Sequence, residues 1–187
     1  MRVFIAIELS GEARRELHYL QSSLKEAGAD VKWVDPANIH LTLRFLGDCG
    51  EQIIPSVKTA LTEAVSASGP FNLGLKGVGA FPGLSSPRII WAGVGDGRRE
   101  SEALYASISS RLAELGIPEE GRDFSPHITI GRVRSGKNTD SLRKAIERSS
   151  FPASSLTPVD SVVLFSSKLS PGGPIYTPLS KAMLHRP

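Results

Sequence analysis

The chain has 187 residues, of which 40% are hydrophobic and 22% are charged, so it can build one hydrophobic core or two small lobes. Its net charge of +3 is compatible with a phosphate-bearing partner but too small to indicate one by itself. The single cysteine, Cys49, excludes an intramolecular disulfide framework and a cysteine-rich metal site. The N-terminal apolar run is too short for a membrane span and lacks a signal-peptide cleavage pattern, so we expect a cytoplasmic protein without membrane association.

The first half of the chain alternates between strand and helix patterns. A short β-branched run predicts a buried strand at its start. Ser10 is a typical helix N-cap, and apolar residues at spacings of three and four follow it until Gly28. The elements predicted for this half are strand 2–9, the helix ending at Gly28, strand 31–34, a strand from His40 to about Leu46, helix 50–67 and strand 71–79.

The second half repeats the same order of elements at nearly constant distance along the chain. Corresponding elements are 86 to about 90 residues apart, which indicates an internal duplication. We therefore predict a single two-lobed domain over residues 1–187, with repeats at about 1–79 and 87–167. The elements predicted for this half are strand 88–94, helix 98–115, strand 127–134, helix 139–149, strand 161–167 and a last strand at about 175–180.

Each repeat carries one histidine motif on a predicted strand. "HLTL" contains His40 and Thr42, and "HITI" contains His127 and Thr129. With seven threonines in the chain, two of four histidines having threonine two residues on is a roughly 1% coincidence. Period-two geometry places each histidine and its threonine on one strand face. The duplication lets the two pairs face each other, which favours a functional site over two buried structural histidines.

Two facing histidines are suited to paired acid and base catalysis. An unperturbed histidine titrates near neutral pH, so one ring can be a neutral base while the other is a protonated acid. Threonine hydroxyls can donate hydrogen bonds to a non-bridging oxygen. A phosphodiester substrate meets all these features. The symmetry of the repeat leaves open which histidine is the acid.

A metal site is the main chemical alternative. Catalytic zinc sites usually need a third protein ligand besides two histidines. Asp35, Asp48 and Asp123 lie near the motifs, but each stands in a turn-like segment where aspartate commonly caps the backbone. We therefore predict no metal.

The motifs and their surroundings resemble a known family. "RVFIAIEL", "HLTLRFLG", "PRIIWAGV", "PHITIGR" and "LSPGGPIYTPL" together resemble the two-histidine phosphoesterases, above all the RNA 2′,3′-cyclic phosphodiesterases, also called 2′–5′ RNA ligase or LigT-like proteins. The resemblance covers nearly the whole chain. It implies a bilobal α+β fold in which two antiparallel-rich sheets, backed by helices, surround a central cleft.

The resemblance also implies a reaction and roles. It implies hydrolysis of an RNA 2′,3′-cyclic phosphate to a 2′-phosphate, with His40 as proton donor, His127 as proton acceptor and Thr42 and Thr129 binding the phosphate. The reverse direction would form a 2′–5′ linkage. No metal or cofactor is implied. The expected partner is an RNA end, with tRNA fragments among the candidates, and a monomer is expected because the duplication already supplies both motifs.

Three further residues near the motifs are placed by separate arguments. Arg132 matches an arginine common in the family, but strict alternation puts it on the face opposite His127, so a bulge would be required to bring it to the phosphate. Arg44 is on the His40 face by alternation and is therefore a second candidate for binding the phosphate, at a position where the family often has other residues, commonly lysine. Phe45 is predicted to lie in the core, with stacking on an RNA base as the alternative.

Other functions stay open at this point. An enzyme for another small cyclic phosphate would have the same motifs and differ only in the wall that contacts the base. A non-catalytic module could bind RNA ends without turnover, although it would not need both an acid and a base. A structural role for the histidines predicts that replacing either one destabilises the fold.

Overall fold

The computed structural model describes residues 1–118, 121, 123–151, 155–171 and 173–185. The helices and strands predicted from periodicity are present, with ends that differ by a few residues. Within the described residues the elements are β1 (Arg2–Glu8), α1 (Gly11–Lys25), β2 (Val31–Trp33), β3 (His40–Asp48), α2 (Ile54–Val65), β4 (Phe71–Leu73), β5 (Leu75–Phe81), β6 (Ile89–Val94), α3 (Arg98–Glu114), β7 (His127–Val133), α4 (Thr139–Arg148), β8 (Thr157–Val159), β9 (Ser161–Ser170) and β10 (Gly173–Met183).

Local chemistry explains where these elements begin and end. The Ser10 side chain accepts a hydrogen bond from the Ala13 amide at 3.1 Å, which confirms it as the cap of α1. One prediction is wrong: the segment 71–79 is two strands, not one. The break is at Gly74. Its amide donates a hydrogen bond to the carbonyl oxygen of Asp96, and its carbonyl oxygen accepts one from the amide of Gly95. On either side of this break β4 pairs with β8 and β5 pairs with β6.

The strands form two four-stranded sheets and one small ribbon. The first sheet has the order β10-β9-β1-β3, the second has the order β2-β7-β6-β5, and β4 pairs with β8 alone. Every pairing between the described strands is antiparallel. The prediction of an α+β fold with two antiparallel sheets is therefore confirmed. None of the described helices has the length and apolar content that a membrane crossing needs.

Each large sheet contains strands from both halves of the sequence. The first sheet takes β1 and β3 from the first half and β9 and β10 from the second. The second sheet takes β6 and β7 from the second half and β2 and β5 from the first. The spatial lobes are therefore not the two sequence halves. That the halves arose by duplication stays a prediction.

The helices pack on one face of the sheets and leave the histidine face to other side chains. All four helices share one continuous core with β1, β3, β6 and β7. A smaller apolar cluster lies on the other face of the first sheet. Burying this apolar surface supplies the main driving force for folding. The smaller cluster consists of Phe4, Ala6, Val163 and Phe165, with Tyr176 packed against it.

Candidate active site

The first motif lies on β3, where the pairing with β1 has a bulge. His40 is opposite Glu8 and Thr42 is opposite Ala6, on the face turned away from the main core. The register then slips, so Leu43 is an extra residue in β3 with no counterpart in β1. A bulge of this kind reverses the alternation of side chains beyond it.

The bulge moves Arg44 to the core side of the sheet. Arg44 pairs with Ile5, a core residue, and is only 1% exposed. Its Nη2 donates a hydrogen bond to the carbonyl oxygen of Pro118. The prediction that Arg44 shares the face of His40, and could bind the phosphate there, is therefore wrong. The prediction failed because it assumed regular alternation of side chains along β3, and the bulge at Leu43 interrupts that alternation.

The same bulge brings Phe45 onto the face of His40. Phe45 pairs with Phe4, whose ring is 6.0 Å away between centroids, and is 57% exposed. The prediction of a core position for Phe45 is wrong for the same reason.

The second motif, on β7, has the same irregularity at the corresponding place. His127 pairs with Gly93, and Thr129 pairs with Trp91. The register slips directly after Thr129, so Ile130 has no counterpart in β6. Arg132 then pairs with Ile89, two residues before Trp91 and so on the same face of β6. The bulge that Arg132 required is present, and it places Arg132 on the face of His127.

Both histidines are oriented by the same backbone contact. Nδ1 of His40 lies 2.8 Å from the carbonyl oxygen of Asn38, and Nδ1 of His127 lies 2.7 Å from that of Ser125. A carbonyl oxygen only accepts, so Nδ1 carries a proton in each ring. Nε2 is therefore the nitrogen that can take up or release a proton during a reaction.

Aromatic rings surround His40 more closely than His127. Phe4 stacks on the His40 ring at 4.9 Å and Tyr176 meets its edge at 5.3 Å. Burial lowers the pKa of His40, a backbone hydrogen bond to Asn38 raises it, and the positive charge of Arg14 lowers it. Among the described residues, the ring of Phe81 lies edge-on to His127 at 4.9 Å.

The two sheets meet where the strands that carry the histidine motifs, β3 and β7, lie against each other. Burial raises the pKa of the Tyr176 hydroxyl, and the positive charge of Arg132 lowers it, so the two side chains lie within electrostatic reach. Tyr176 contacts His40, and Arg132 shares the face of His127. Because β3 and β7 lie against each other, the two motifs occupy neighbouring strands of different sheets.

The threonines of the motifs, the cysteine and the aspartate candidates lie in different surroundings. Thr42 and Thr129 are half-buried, and no hydrogen bond involves either hydroxyl within the described part of the chain. Burial raises the pKa of the Cys49 thiol, which keeps it protonated. Asp35 accepts a hydrogen bond from the Ala37 amide, as a capping residue does. The described residues contain no group of three or more histidine, cysteine, aspartate or glutamate side chains that could hold a metal ion.

Tyr176 was not predicted from the sequence. It lies in β10, whose approximate place was predicted, but nothing in the sequence indicated that this strand lies beside His40. Tyr176 is brought there by the pairing of β10 with β9, a contact made only in the folded sheet.

Comparison with known proteins gives a consistent result. The model of the LigT like phosphoesterase family matches residues 7–91 and 94–176. An RNA 2′,3′-cyclic phosphodiesterase of Methanothermobacter thermautotrophicus is 35% identical over 95% of both chains. One of Thermotoga maritima is 38% identical over 94% of this chain and 91% of its own.

Solved structures agree with the sequence relatives. The protein TT0787 of Thermus thermophilus superimposes with a TM-score of 0.83 at 29% identity, covering 100% of this chain and 99% of that one. Escherichia coli LigT, complexed with 3′-AMP, superimposes with a TM-score of 0.77 at 27% identity, covering 99% and 98%. The family match spans most of both halves and includes both histidine motifs. The chain therefore belongs to the LigT-like phosphoesterase family.

Proposed function

We propose that this protein hydrolyses RNA 2′,3′-cyclic phosphate ends to 2′-phosphomonoesters by paired histidine catalysis. The observation that carries the proposal is the pair of equivalent motifs on β3 and β7, strands of different sheets that lie against each other, with each histidine anchored through Nδ1. The relatives from Methanothermobacter thermautotrophicus and Thermotoga maritima are named for this activity, and Escherichia coli LigT binds a nucleotide with a 3′-phosphate.

The chemistry assigns one proton transfer to each ring. Nε2 of His127 accepts a proton from a water molecule whose oxygen attacks phosphorus. The bond between phosphorus and the 3′ oxygen breaks, and protonated Nε2 of His40 donates a proton to that oxygen. The phosphate stays on the 2′ oxygen. A 5′-hydroxyl in place of water would give a 2′–5′ linkage by the same steps.

The acid role of His40 requires the substrate. Burial lowers the pKa of His40, so its ring is mostly neutral in the free protein near neutral pH. A phosphate anion beside Nε2 stabilises the imidazolium and raises the pKa of His40. Substrate binding therefore helps to create the protonated acid that the leaving oxygen needs.

The phosphate contacts come from three side chains. The hydroxyls of Thr42 and Thr129 donate to non-bridging oxygens, and the guanidinium of Arg132 supplies a charge-assisted bond to the same group. Arg44 has no part in the proposal, because it lies on the core side of β3. One chain supplies both motifs, so we propose that a monomer is active, without a metal or cofactor, on RNA ends that include tRNA fragments.

The direct test is turnover of a short RNA with a 2′,3′-cyclic phosphate end, in the presence of EDTA. His40→Ala and His127→Ala are compared with His18→Ala, which replaces an exposed histidine away from the motifs. We expect wild type and His18→Ala to form only the 2′-phosphate and the two motif variants to be folded but inactive. Binding without turnover by wild type would favour a non-catalytic RNA-end module, and turnover that survives either motif substitution would refute the mechanism.

A further inference from the structure

Gln21 is a polar side chain on the buried face of α1. It is 1% exposed, and the other buried residues of this helix are Ala13, Leu17 and Leu24. A buried amide costs free energy unless the folded protein supplies its hydrogen bonds. An apolar residue would fill this position without that cost, so the glutamine needs a reason in the structure.

The amide of Gln21 bonds two main-chain carbonyl groups at once. Its Nε2 lies 2.7 Å from the carbonyl oxygen of Val34 and 2.8 Å from that of Ile130. Carbonyl oxygens only accept, so the amide nitrogen, with its two N–H donors, faces both of them. Glutamine is therefore matched to this pair of acceptors, whereas methionine and leucine would fill the space without a donor.

One of these carbonyl groups belongs to the bulge of the second motif. Ile130 is the residue of β7 that has no counterpart in β6. A bulge interrupts the hydrogen-bond ladder, so its main-chain groups need partners from elsewhere. The Ile130 oxygen accepts from the amide of Val34 at 3.0 Å as well as from Gln21. Gln21 thereby joins the bulge to the residue that follows β2.

The packing around the bulge is close. Ile130 and Gly131 follow each other on the core side of β7, and both are buried. A Cβ on Gly131 would lie 2.9 Å from Cγ1 of Val31 and 3.0 Å from the ring of Trp33. The bulge is therefore held by its packing against β2 and by the hydrogen bonds of Gln21.

The corresponding place in α3 has no such contact. Gln21 lies seven residues before Gly28, and Ser109 lies seven residues before Gly116. Ser109 is also buried, but its hydroxyl has no hydrogen-bond partner among the described residues. Helix α3 packs against β3, whose bulge turns Arg44 to the core. Of these two places, the amide contact is made at the bulge that turns an arginine to the histidine face.

We infer that Gln21 is a positioning residue that acts through Arg132. By holding the bulge in β7, its amide keeps Arg132 on the face of His127, from which strict alternation would turn it away. The inference rests on the proposed function, in which Arg132 binds the phosphate. It assigns part of the control of phosphate binding to a side chain buried on the opposite side of the sheet.

The test is a double-mutant cycle between Gln21 and Arg132, with kcat/KM for an RNA 2′,3′-cyclic phosphate end as the readout. Gln21→Met keeps the length of the side chain and removes the donors. We expect it to lower kcat/KM about tenfold in the wild-type background and less than about twofold in the Arg132→Ala background. Gln21→Leu is measured in parallel, so the result does not depend on one variant folding. Ser109→Ala, the matched control on α3, should leave kcat/KM unchanged.

Binding of inorganic phosphate separates this inference from the proposed function. The NMR signals of the His127 ring follow this binding without turnover. We expect Gln21→Met and Arg132→Ala to weaken it by a similar factor, and the double variant to bind no more weakly than Arg132→Ala alone. If wild type does not turn over the RNA while this pattern holds, the proposed function fails and the role of Gln21 stands.

Two results would overturn the inference. Gln21 variants with a lowered Tm but wild-type kcat/KM and phosphate binding would show that the side chain only stabilises the fold. Losses in kcat/KM that multiply with the loss caused by Arg132→Ala would show that Gln21 does not act through Arg132.

Discussion

Replacing Arg44 by alanine is expected to destabilise the protein, whereas Arg132→Ala is expected to leave the fold intact and slow catalysis. Arg44 is the fourth residue after His40, and Arg132 is the fifth residue after His127. The bulge in β3 turns Arg44 to the core, and the bulge in β7 turns Arg132 to the histidine face. The same substitution therefore tests the two faces separately.

The magnitude for Arg44 follows from its burial and its hydrogen bond. Alanine removes two buried methylenes, worth about 0.8 kcal/mol each. It also removes a hydrogen bond from a charged donor to the Pro118 carbonyl, worth roughly 1.5–3 kcal/mol. Part of this is offset because the folded state no longer buries a charge. We expect a loss of about 3 kcal/mol in the free energy of unfolding, which lowers Tm by roughly 6–12 °C for a chain of this size.

Urea unfolding followed by the fluorescence of Trp33 and Trp91 measures this change. Arg44→Met serves as the control, because it keeps much of the buried stem and removes only the charge and its hydrogen bonds. Arg132→Ala should shift the free energy of unfolding by less than about 0.5 kcal/mol, as exposed substitutions usually do. It should lower kcat/KM by about 10- to 100-fold through the lost contact with the phosphate.

The opposite pattern would refute this reasoning. If Arg44→Ala is as stable as wild type but inactive, its side chain reaches the substrate and the assignment of faces by the bulge is incorrect. If Arg132→Ala is destabilised by several kcal/mol, Arg132 is a structural residue and its position on the histidine face has no catalytic meaning.

Three further expectations concern the face that carries the histidines. Phe45→Ala should lower the free energy of unfolding in urea by less than about 1 kcal/mol, because the side chain is largely exposed. A loss of about 3–5 kcal/mol, as for a buried phenylalanine, would show that Phe45 lies in the core after all. Because burial holds the pKa of His40 below its ordinary value of 6.5, the unfolded chain binds this proton more readily. Stability should therefore fall as pH drops below 6.5, and His40→Gln should show a smaller loss between about pH 7 and pH 5 in the same unfolding assay; identical slopes would contradict the burial effect. Thr42→Val and Thr129→Val, which keep side-chain size, should retain the wild-type Tm and lower kcat/KM by about tenfold each; unchanged kinetics would exclude the hydroxyls from phosphate binding.

Much of the fold is predictable because it depends on local patterns. The helix after Ser10 follows from a capping residue and an apolar repeat, and both act within a few residues of each other. The histidine and threonine of each motif share a face because they precede the bulge, where period two still holds.

The residues beyond the bulges could not be placed in the same way. Alternation predicts a face only while each residue has one partner in the next strand, and Leu43 and Ile130 break that rule. The faces of Arg44 and Phe45 were predicted wrongly for that reason. Neither motif contains a local signal for the slip, because the register depends on how β1 and β6 fit against them.

Long-range pairing limited the prediction of the site in another way. The place of Tyr176 beside His40 depends on β10 pairing with β9, and β9 pairing with β1, more than 150 residues earlier in the chain. Periodicity within a segment carries no information on such partners. The order of strands in the sheets had to come from the structure.

The exchange of strands between the halves constrains how such a chain could have originated. A single ancestral repeat equivalent to residues 1–86 would hold β1 and β3 without β9, and β5 without β6 and β7. In the present chain each sheet is completed by strands of the other half. If the predicted duplication took place, two copies of the repeat that exchanged these strands would form one cleft with one histidine from each copy, and joining them in one chain would make that association independent of concentration.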